Sequence, residues 1–549
     1  MTPVTLAIRQ HRPRPPEHRR PPSRGEPVPV AANRRALPLL ALVVTGTVLG
    51  GCTVGPSDRP PVAVRDAGVA PQHRPPPPQP SPPAPPPPAG RYDPASLPWR
   101  DCTAVTAPPP AGTAPAELEC TEISVAGDLS QPGPGSSLVL DVTRAGSGPA
   151  PLVVLGEAGE PGTARAARLA AQAPPELLES YTLIGLARRG TGRSDPVDCI
   201  PERAREQIIG ADPALRGGGQ LRELLDTTRT AIQTCVQELG TLLSAINSPA
   251  TADDLEQLRT ALRAPVLNLL ALGEASRATV DYVDRYPGSV GRVVLDGAPD
   301  PGRDDIAASE ASAAAAERGF DAFAADCVAR DCALAPDPRR ALTELAEQLR
   351  VTPLEEPEVR VTAGIAFQAV LETLGSPERW DELAAALDAA RNGDGTAISR
   401  LVEPLVTGRG ELPAQFDPGL ATRCNDTPTR VPPVRAEQLV AEWRERFPLF
   451  GGMFAQRLLL CSAWPVPTEP PAGTGAEQAP PLLVIATEGD PRTPASGTRR
   501  TAAQLPAAVL VNWQGRAHGA EWRSRCVTDL VTTYLVDAQL PVPGTLCPP

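Results

Sequence analysis

Two side chains near the end of the chain could together transfer a proton. Asp490 follows the apolar run Leu482–Ala486, and His518 follows a second apolar run, Ala508–Val511. The other three histidines all lie in the basic and proline-rich start of the chain: His11, His18 and His73. His518 is therefore the one imidazole of the part predicted to fold, and imidazole is the best general base near neutral pH. We predict that Asp490 orients His518, as the acid of a serine–histidine–acid triad does.

A nucleophile for this pair is harder to find. In hydrolases with the chain order serine, acid, histidine, the serine lies in a G-x-S-x-G turn between a strand and a helix. The sequence contains no such motif, and the segment after the apolar run Val266–Leu272 reads Gly273-Glu274-Ala275-Ser276. If a helix starts near Glu274, Ser276 lies in its first turn, several Å from the tip of the turn. Ser276 is thus a candidate nucleophile that needs a displaced turn, and the alternative is a local capping role.

The elements expected to hold these side chains alternate between strands and helices. Seven apolar runs predict a mostly parallel, buried sheet. They are Ser137–Val142, Pro151–Leu155, Tyr181–Leu186, Pro265–Leu272, Arg292–Asp296, Pro481–Ala486 and Ala508–Val511. Between 302 and 420 helical periodicity replaces the strand pattern, at 306–327, 338–350, 361–374 and 380–392, and a further helix is predicted at Arg435–Phe447. The sequence predicts an α/β fold, with helices on both faces of the sheet and an all-helical lid insertion.

The start of the chain predicts export and a lipid anchor. A basic segment precedes an apolar run, Ala36 to Leu49, that is shorter than the ~20 residues of a membrane span. The run ends in Leu-Gly-Gly-Cys52, which resembles the bacterial lipobox with a lipidated cysteine; the alternative is an ordinary signal peptide. We expect the protein on the extracytoplasmic face of the cell membrane. Two runs of four prolines then favour an extended spacer.

The predicted organisation has five parts. They are a lipoprotein signal peptide (1–51), a Pro-rich disordered spacer (52–98), a first part of the sheet core (99–301), the helical lid (302–420) and the C-terminal part of the core (421–549).

Ten cysteines remain when Cys52 is set aside, and an even number in an exported chain is typical of a disulfide set. Pairing in chain order predicts Cys102–Cys120, Cys199–Cys235, Cys327–Cys332, Cys424–Cys461 and Cys526–Cys547, although the sequence leaves other connectivities open. No spacing is typical of a metal site, so neither metal nor cofactor is expected. The net charge of −12 argues against nucleic-acid binding, which needs a basic face.

Several segments carry a resemblance to a known family. They are Arg189–Ser194 with Asp195–Cys199, Tyr282–Pro287 with Val293–Gly297, Cys424-Asn425-Asp426 with Cys461, and, as the most specific, Gly489–Pro494 with Gly515–Gly519 and Cys526. On these segments, spread over roughly residues 97–549, the chain resembles the tripeptidyl-aminopeptidase-like branch of the α/β-hydrolases, a group of exported serine hydrolases. The resemblance implies an α/β-hydrolase fold in which Asp490 and His518 are the acid and base of a triad.

The same resemblance places Gly273 at the position of the serine. Glycine adopts the strained backbone of that turn freely but carries no nucleophile. The N–H groups that stabilise an oxyanion are expected at Glu274 and in the loop from Gly156 to Gly162, where the family has a run like GGPGGSG. Here Glu157, Glu160 and Glu274 bring carboxylates to the place where negative charge should develop, which opposes the reaction. The sequence therefore predicts a degenerate nucleophile turn and a damaged oxyanion region.

Three interpretations remain open. The chain could be a degenerate hydrolase that binds amines or basic peptides in an acidic pocket, with cleavage lost or very weak. It could be an active serine peptidase or esterase that uses Ser276. It could also be a non-catalytic envelope scaffold. The expected partners are a peptide or a small amine or ester ligand, and the membrane through the lipid anchor.

Overall fold

The computed structural model describes residues 85–103, 116–127, 137–157, 159–214, 218–302, 304–408, 412–464 and 478–549. All of them belong to one compact unit, Pro80–Pro549. Cys52 and the apolar run before it lie outside the described residues, so the predicted anchor stays a prediction. Within these ranges, no helix combines the length and the apolar character needed to cross a membrane.

A single sheet collects the strands of the described part of the chain. They are β1 (Arg100–Asp101), β2 (Glu119–Ala126), β3 (Ser137–Ala145), β4 (Ala150–Leu155), β5 (Tyr181–Leu186), β6 (Leu267–Leu272), β7 (Val290–Asp296), β8 (Leu482–Thr487), β9 (Ala508–Trp513) and β10 (Thr545–Cys547). Their spatial order is β1-β2-β3-β5-β4-β6-β7-β8-β9-β10. The pairs β1–β2, β2–β3 and β3–β5 are antiparallel and the others are parallel. Every residue of β4 to β8 is buried, because helices cover both faces of the parallel part.

The helices of the described residues fall into two groups. Those within or beside the sheet core are α1 (Gly162–Ala170), α2 (Pro175–Ser180), α3 (Glu202–Ile209), α4 (Gly218–Leu239), α5 (Leu242–Ala245), α6 (Ser248–Ala261), α7 (Ala275–Arg285), α16 (Ala495–Gln504) and α17 (Arg525–Asp537). Those between β7 and β8 are α8 (Asp305–Ala329), α9 (Pro338–Val351), α10 (Ala363–Leu374), α11 (Trp380–Arg391), α12 (Thr396–Val406), α13 (Phe416–Asp426), α14 (Pro433–Arg446) and α15 (Gly451–Leu460).

The sheet confirms the predicted α/β-hydrolase fold class. Each of the seven predicted strands is present, with ends that differ by at most a few residues. Strand β2 was missed because its buried and exposed residues alternate, which gives no continuous apolar run. Strands β1 and β10 have only two and three residues, too few for a sequence pattern.

The helical insertion extends beyond its predicted limit of residue 420. Helices α8 to α15 run from Asp305 to Leu460, and residues from α8, α10, α14 and α15 share one buried apolar cluster. The unpredicted helices α12 and α13 contain Pro404 and Pro418, and proline obscures a helical pattern. The lid is therefore larger than the sequence indicated.

The predicted spacer also ends earlier than residue 98. Asn268 is fully buried in β6, and its side-chain N–H group donates to the carbonyl oxygen of Ala89 at 2.8 Å. The N–H of Tyr92 donates to the carbonyl oxygen of Pro149, and the Tyr92 side chain is buried. A buried amide needs hydrogen-bond partners, so this stretch belongs to the folded part.

The five predicted disulfides are all present: Cys102–Cys120, Cys199–Cys235, Cys327–Cys332, Cys424–Cys461 and Cys526–Cys547. The fourth joins Cys424 near the end of α13 to the residue after α15, so that the ends of two lid helices are held close together.

A buried ion pair fixes the lid to the core. Arg205 of α3 donates to Asp417 of α13, and Asp417 also accepts the N–H groups of Cys199 and Ile200. We expect Asp417→Asn to lower the free energy of unfolding by about 3 kcal/mol, because the buried guanidinium of Arg205 then lacks the negative charge of its partner. Asp198, an exposed partner of the same arginine, provides the control: Asp198→Asn should cost less than about 1 kcal/mol. Equal losses in urea denaturation would contradict this account.

Candidate functional site

Four loops meet at the carboxyl ends of neighbouring parallel strands. Glu157 follows β4, Gly273 follows β6, Asp490 follows β8 and His518 follows β9. The carboxyl ends of parallel strands lie at one edge of a sheet, which is where open α/β sheets bind their ligands. The sheet order therefore brings together residues that are separated by up to several hundred positions in the chain.

Asp490 and His518 form the pair predicted from the sequence. The Nδ1 atom of His518 lies 3.1 Å from Oδ1 and 3.0 Å from Oδ2 of Asp490. Asp490 Oδ1 also accepts the N–H groups of Arg492 and Thr493, which holds the carboxylate in place. The backbone N–H of His518 donates to the carbonyl oxygen of Gly375, just after α10 in the lid. Both the sheet and the lid thus position the imidazole.

Gly273 occupies the tip of the strand-to-helix turn where a nucleophile is expected. Its φ is +54°, in the left-handed region that favours glycine, and its N–H donates to the carbonyl oxygen of Asp296. A Cβ atom at this position would stand 3.2 Å from Cε1 of His518. The turn therefore faces the histidine as a nucleophile turn should, but the residue at its tip has no side chain.

The carboxylate of Glu157 fills the space that a side chain at position 273 would take. A Cβ atom on Gly273 would overlap Oε1 of Glu157. The other carboxylate oxygen, Oε2, lies 2.7 Å from Nε2 of His518. The N–H of Glu274, the residue after the tip, donates to Oε1 at 3.3 Å. One side chain thus occupies both the place of the missing nucleophile and the place where an oxyanion would be stabilised.

The charges of this group are strongly coupled. Burial disfavours the protonated imidazole of His518, but the carboxylates of Asp490 and Glu157 outweigh it and raise the His518 pKa to about 10. Burial likewise raises the pKa of Glu157, but His518 and then Arg492 outweigh it and hold that pKa well below its usual range. At neutral pH an imidazolium therefore lies between two carboxylates, and an imidazolium cannot accept a proton.

A second buried carboxylate supports the loop behind His518. Asp296 Oδ2 accepts the N–H groups of Ala520 and Glu521. Burial, together with the nearby Glu521 carboxylate, raises the pKa of Asp296. Glu521 in turn forms an ion pair with Arg165 of α1. These contacts fix the residues that follow His518 in the chain.

The remaining candidates from the sequence make no hydrogen bond with the imidazole of His518, whose ring contacts Asp490 and Glu157 among the described residues. Ser276 is buried in the first turn of α7, and among the described residues its Oγ has no hydrogen-bond partner. The structure therefore neither brings Ser276 to His518 nor gives it a capping bond. Glu160 pairs with Arg168, and burial raises the pKa of Glu274. Gly156 permits a tight turn, because a Cβ atom there would overlap the carbonyl oxygen of Glu160.

A cavity of about 1330 Å³ opens beside this group, between the sheet edge and the lid. Its lining includes six glutamates and eight arginines, so the expectation of an acidic pocket is wrong. The glutamates are Glu157, Glu160, Glu372, Glu378, Glu382 and Glu521, and the arginines are Arg165, Arg168, Arg193, Arg379, Arg423, Arg457, Arg492 and Arg523. No cluster of three or more histidine, cysteine, aspartate or glutamate side chains in the described ranges is arranged to hold a metal ion.

Sequence reasoning missed the arginines of this cavity. The Nη2 atom of Arg492 lies 3.8 Å from Oε2 of Glu157, and its Nη1 atom lies 3.6 Å from Oε2 of Glu372. In the chain, Arg492 is two residues from Asp490. A charged residue so near the predicted acid in the chain was a signal that Arg492 belongs to the site. Arg423 and Arg457 lie on lid helices with no motif around them, and no signal in the sequence placed them near His518.

Comparisons with known proteins agree with this geometry. Residues 447–547, which contain Asp490 and His518, match the family model described as TAP-like protein. The chain is 27% identical over 418 residues to the serine protease Hip1 of Mycobacterium tuberculosis, covering 71% of this chain and 79% of that protein. It is 28% identical over 453 residues to carboxylesterase B of the same species, covering 78% and 86%.

A third relative is the tripeptidyl aminopeptidase of Streptomyces lividans. The identity is 23% over 488 residues, which cover 84% of this chain and 88% of the relative. The strand order, the acid–histidine pair and these similarities point to one conclusion: the chain has the α/β-hydrolase fold, and its residues 447–547 form a TAP-like domain.

Proposed function

We propose that this protein is a non-hydrolytic, ligand-binding member of the TAP-like group. The observation that carries the proposal is the Glu157 carboxylate, which lies against His518 Nε2 in the place of the absent nucleophile. Its two oxygens contact the imidazole and the Glu274 N–H, as the carboxylate of a bound acid product would. The site thus carries its own permanent anion where a hydrolase has a serine and a transient oxyanion.

Three steps of serine hydrolysis are blocked by this arrangement. Attack on a carbonyl needs a nucleophile, and Gly273 supplies none. Activation of a nucleophile needs a neutral imidazole, and the raised pKa keeps His518 protonated at neutral pH. Stabilisation of the intermediate needs free N–H donors, and the N–H group of Glu274 already donates to the carboxylate of Glu157. The first defect arises from Gly273 and the other two arise from Glu157, so a change at either position alone leaves the site incomplete.

The open cavity favours binding over a purely structural role. At about 1330 Å³ it exceeds the usual size of a ligand pocket, and its lining mixes charged and apolar side chains. A domain that served only as a scaffold would gain stability by filling such a space with side chains. The function we propose is therefore to hold a ligand at the sheet edge without cleaving it.

Export and anchoring belong to the same proposal. The apolar run that ends at Cys52 supports a lipid anchor, and the prolines between positions 53 and 88 support a spacer that keeps the domain away from the membrane. The five disulfides support an oxidising compartment, because such bonds are rare in the cytosol. The bound ligand would then be extracytoplasmic.

A fluorophosphonate probe tests the absence of a nucleophile. We expect no labelling of the full-length protein and no turnover of p-nitrophenyl acetate or aminoacyl arylamides above the rate in buffer. Ser276→Ala should change neither result, because the Ser276 hydroxyl is buried in α7 and has no hydrogen-bond partner among the described residues. Labelling of the unaltered protein that Ser276→Ala abolishes would overturn the proposal.

A further inference from the structure

In the part of the chain that the structure describes, two arginines of the lid line the cavity without a carboxylate within ion-pair distance. Arg423 lies on α13 and Arg457 on α15, and both contribute to the wall shared with His518. Among the described residues, Arg423 makes no hydrogen bond or ion pair. Within the described ranges, Arg457 donates only to the amide oxygen of Gln368, and it stacks over the ring of Phe454. The other arginines that line this cavity have acidic partners, such as Glu521 for Arg165 and Glu372 for Arg492.

The two guanidinium groups are held where positive charge is costly. Burial lowers the pKa of Arg457 to about 10, and the nearby charge of Arg423 adds to this effect. Burial also lowers the pKa of Arg423, although the charges of Asp305 and Glu274 act against this effect. Both side chains are partly buried in the cavity wall, and an anion between them would offset the repulsion of the two neighbouring cations and part of the cost of their burial.

The same two helices present apolar side chains to the cavity. On α13, Phe416, Leu420 and Arg423 follow one another at helical spacing, so they share one face. On α15, Met453 and Leu460 flank Arg457. Further apolar wall comes from Leu401 and Leu405 of α12 and from Ile208 of α3. The cavity therefore combines a cationic end with an apolar surface.

A disulfide restricts the relative movement of the two backbone segments that carry the arginines. Cys424 follows Arg423 directly, and Cys461 is the first residue after α15, four positions from Arg457. The Cys424–Cys461 bond thus ties together the ends of the helices that carry the arginines. Backbone segments that are already held together lose less entropy when their side chains bind a common anion.

We propose that this cavity binds an amphiphilic carboxylate, with its acid group between Arg423 and Arg457 and its apolar part along α12, α13 and α15. The inference rests on the proposed function, since it names the ligand class of that non-hydrolytic site. Planar guanidinium groups match a carboxylate through paired N–H donors. The lining has only two more arginines than glutamates, which favours a singly charged head over a more highly charged phosphate.

A fatty acid and the C-terminus of an apolar peptide share this chemistry, and paired probes distinguish them. Dodecanoate is compared with dodecanol, and trileucine with trileucine amide, by calorimetry on the full-length protein. We expect at least one acid to bind at least tenfold more tightly than its neutral partner, because hydrogen bonds to charged groups contribute that much. The acid that binds identifies the source. An amide or alcohol that binds as well as its acid, or no binding of either acid, would overturn the inference.

Substitutions locate the acid group. Arg423→Met and Arg457→Met should each weaken binding of the acid about tenfold or more and leave binding of the neutral partner unchanged. The matched control is Arg379→Met, which removes a cation of the same cavity that is already paired with Glu382. Equal affinity of the two lid variants and the unaltered protein would contradict the proposal. Should either variant fail to fold, the comparison of acid with amide needs no substitution.

Mass spectrometry of the recovered trileucine separates the two proposals. Cleaved peptide would contradict the non-hydrolytic function while leaving the carboxylate subsite standing. Intact peptide whose amide binds equally well would contradict the subsite while leaving the non-hydrolytic function standing.

Discussion

The double variant Glu157→Gly, Gly273→Ser is expected to gain serine hydrolase activity that neither single variant has. The Cβ atom of a serine at position 273 would lie 3.2 Å from Cε1 of His518. Its hydroxyl group would then be within hydrogen-bond reach of the imidazole. Removing Glu157 clears that space, frees the Glu274 N–H and removes one of the two carboxylates that keep His518 protonated. All three defects of the site are thereby repaired together.

The single variants show why both changes are needed. In Gly273→Ser the new side chain overlaps Glu157 Oε1, and the imidazole remains protonated. In Glu157→Gly the histidine and the N–H donor are free, but no nucleophile faces them. We expect p-nitrophenyl acetate turnover in the double variant on the order of 10²-fold or more above either single variant, the usual contribution of a positioned general base. Fluorophosphonate labelling should appear in the double variant alone.

The matched control is Glu157→Gly, Gly273→Ala, which adds the same Cβ atom without a hydroxyl group. It should fold like the active variant but show neither hydrolase activity nor probe labelling. A residue other than glycine at the φ of +54° costs about 1–2 kcal/mol, so both proteins should be slightly less stable. Activity of Gly273→Ser alone would show that Glu157 does not block the turn. A folded but inactive double variant would show that Gly273 is not at the nucleophile position.

The stability of the protein is expected to fall as the pH rises from 7 towards 10. His518 has a folded pKa of about 10 against an ordinary value of 6.5, so its contribution is complete below about 6.5 and is lost as the pH rises through 10. The loss should approach about 1 kcal/mol per pH unit within this window. The Glu157 pKa is lowered, so its contribution holds above the ordinary value near 4.5 and is lost only as the pH falls below it.

Urea denaturation at a series of pH values measures this dependence. Glu157→Gln removes one of the two carboxylates that hold the imidazolium, so the variant should show a flatter decline above pH 7. Glu160→Gln is the control, because Glu160 belongs to the same loop but pairs with Arg168 instead of His518. A histidine signal that titrates near pH 10 and disappears in His518→Asn would identify the group by nuclear magnetic resonance. Titration of His518 near 6.5 would refute the charged arrangement.

The carboxylate of Glu157 and the missing side chain at Gly273 depend on each other for physical reasons. A side chain at position 273 would collide with Glu157, and a carboxylate beside a working serine would oppose the developing negative charge. With Gly273 and a charged His518 the same carboxylate is stabilised from two sides. The site is therefore internally consistent as a permanent ion pair, whereas each residue taken alone looks like damage to a hydrolase.

The sequence by itself indicated seven of the ten strands in the described residues and the acid–histidine pair, and pairing the cysteines in chain order agreed with the disulfides although other pairings were open. Continuous apolar runs are sufficient to place strands in a buried parallel sheet, and chain order after those strands placed Asp490 and His518 in their loops. The absence of a serine at Gly273 was also readable, because the motif is local in the chain.

Only the tertiary structure decided which side chain occupies the place of the missing nucleophile. Glu157 lies 116 positions before Gly273 and 361 before His518, and no local pattern says that its carboxylate reaches both. Arg423 and Arg457 come from lid helices whose placement depends on packing and on the Cys424–Cys461 bond. Charge sign in the cavity depends on which side chains converge there, and convergence is a property of the folded chain. For this reason the sequence predicted an acidic pocket, and the structure has a basic one.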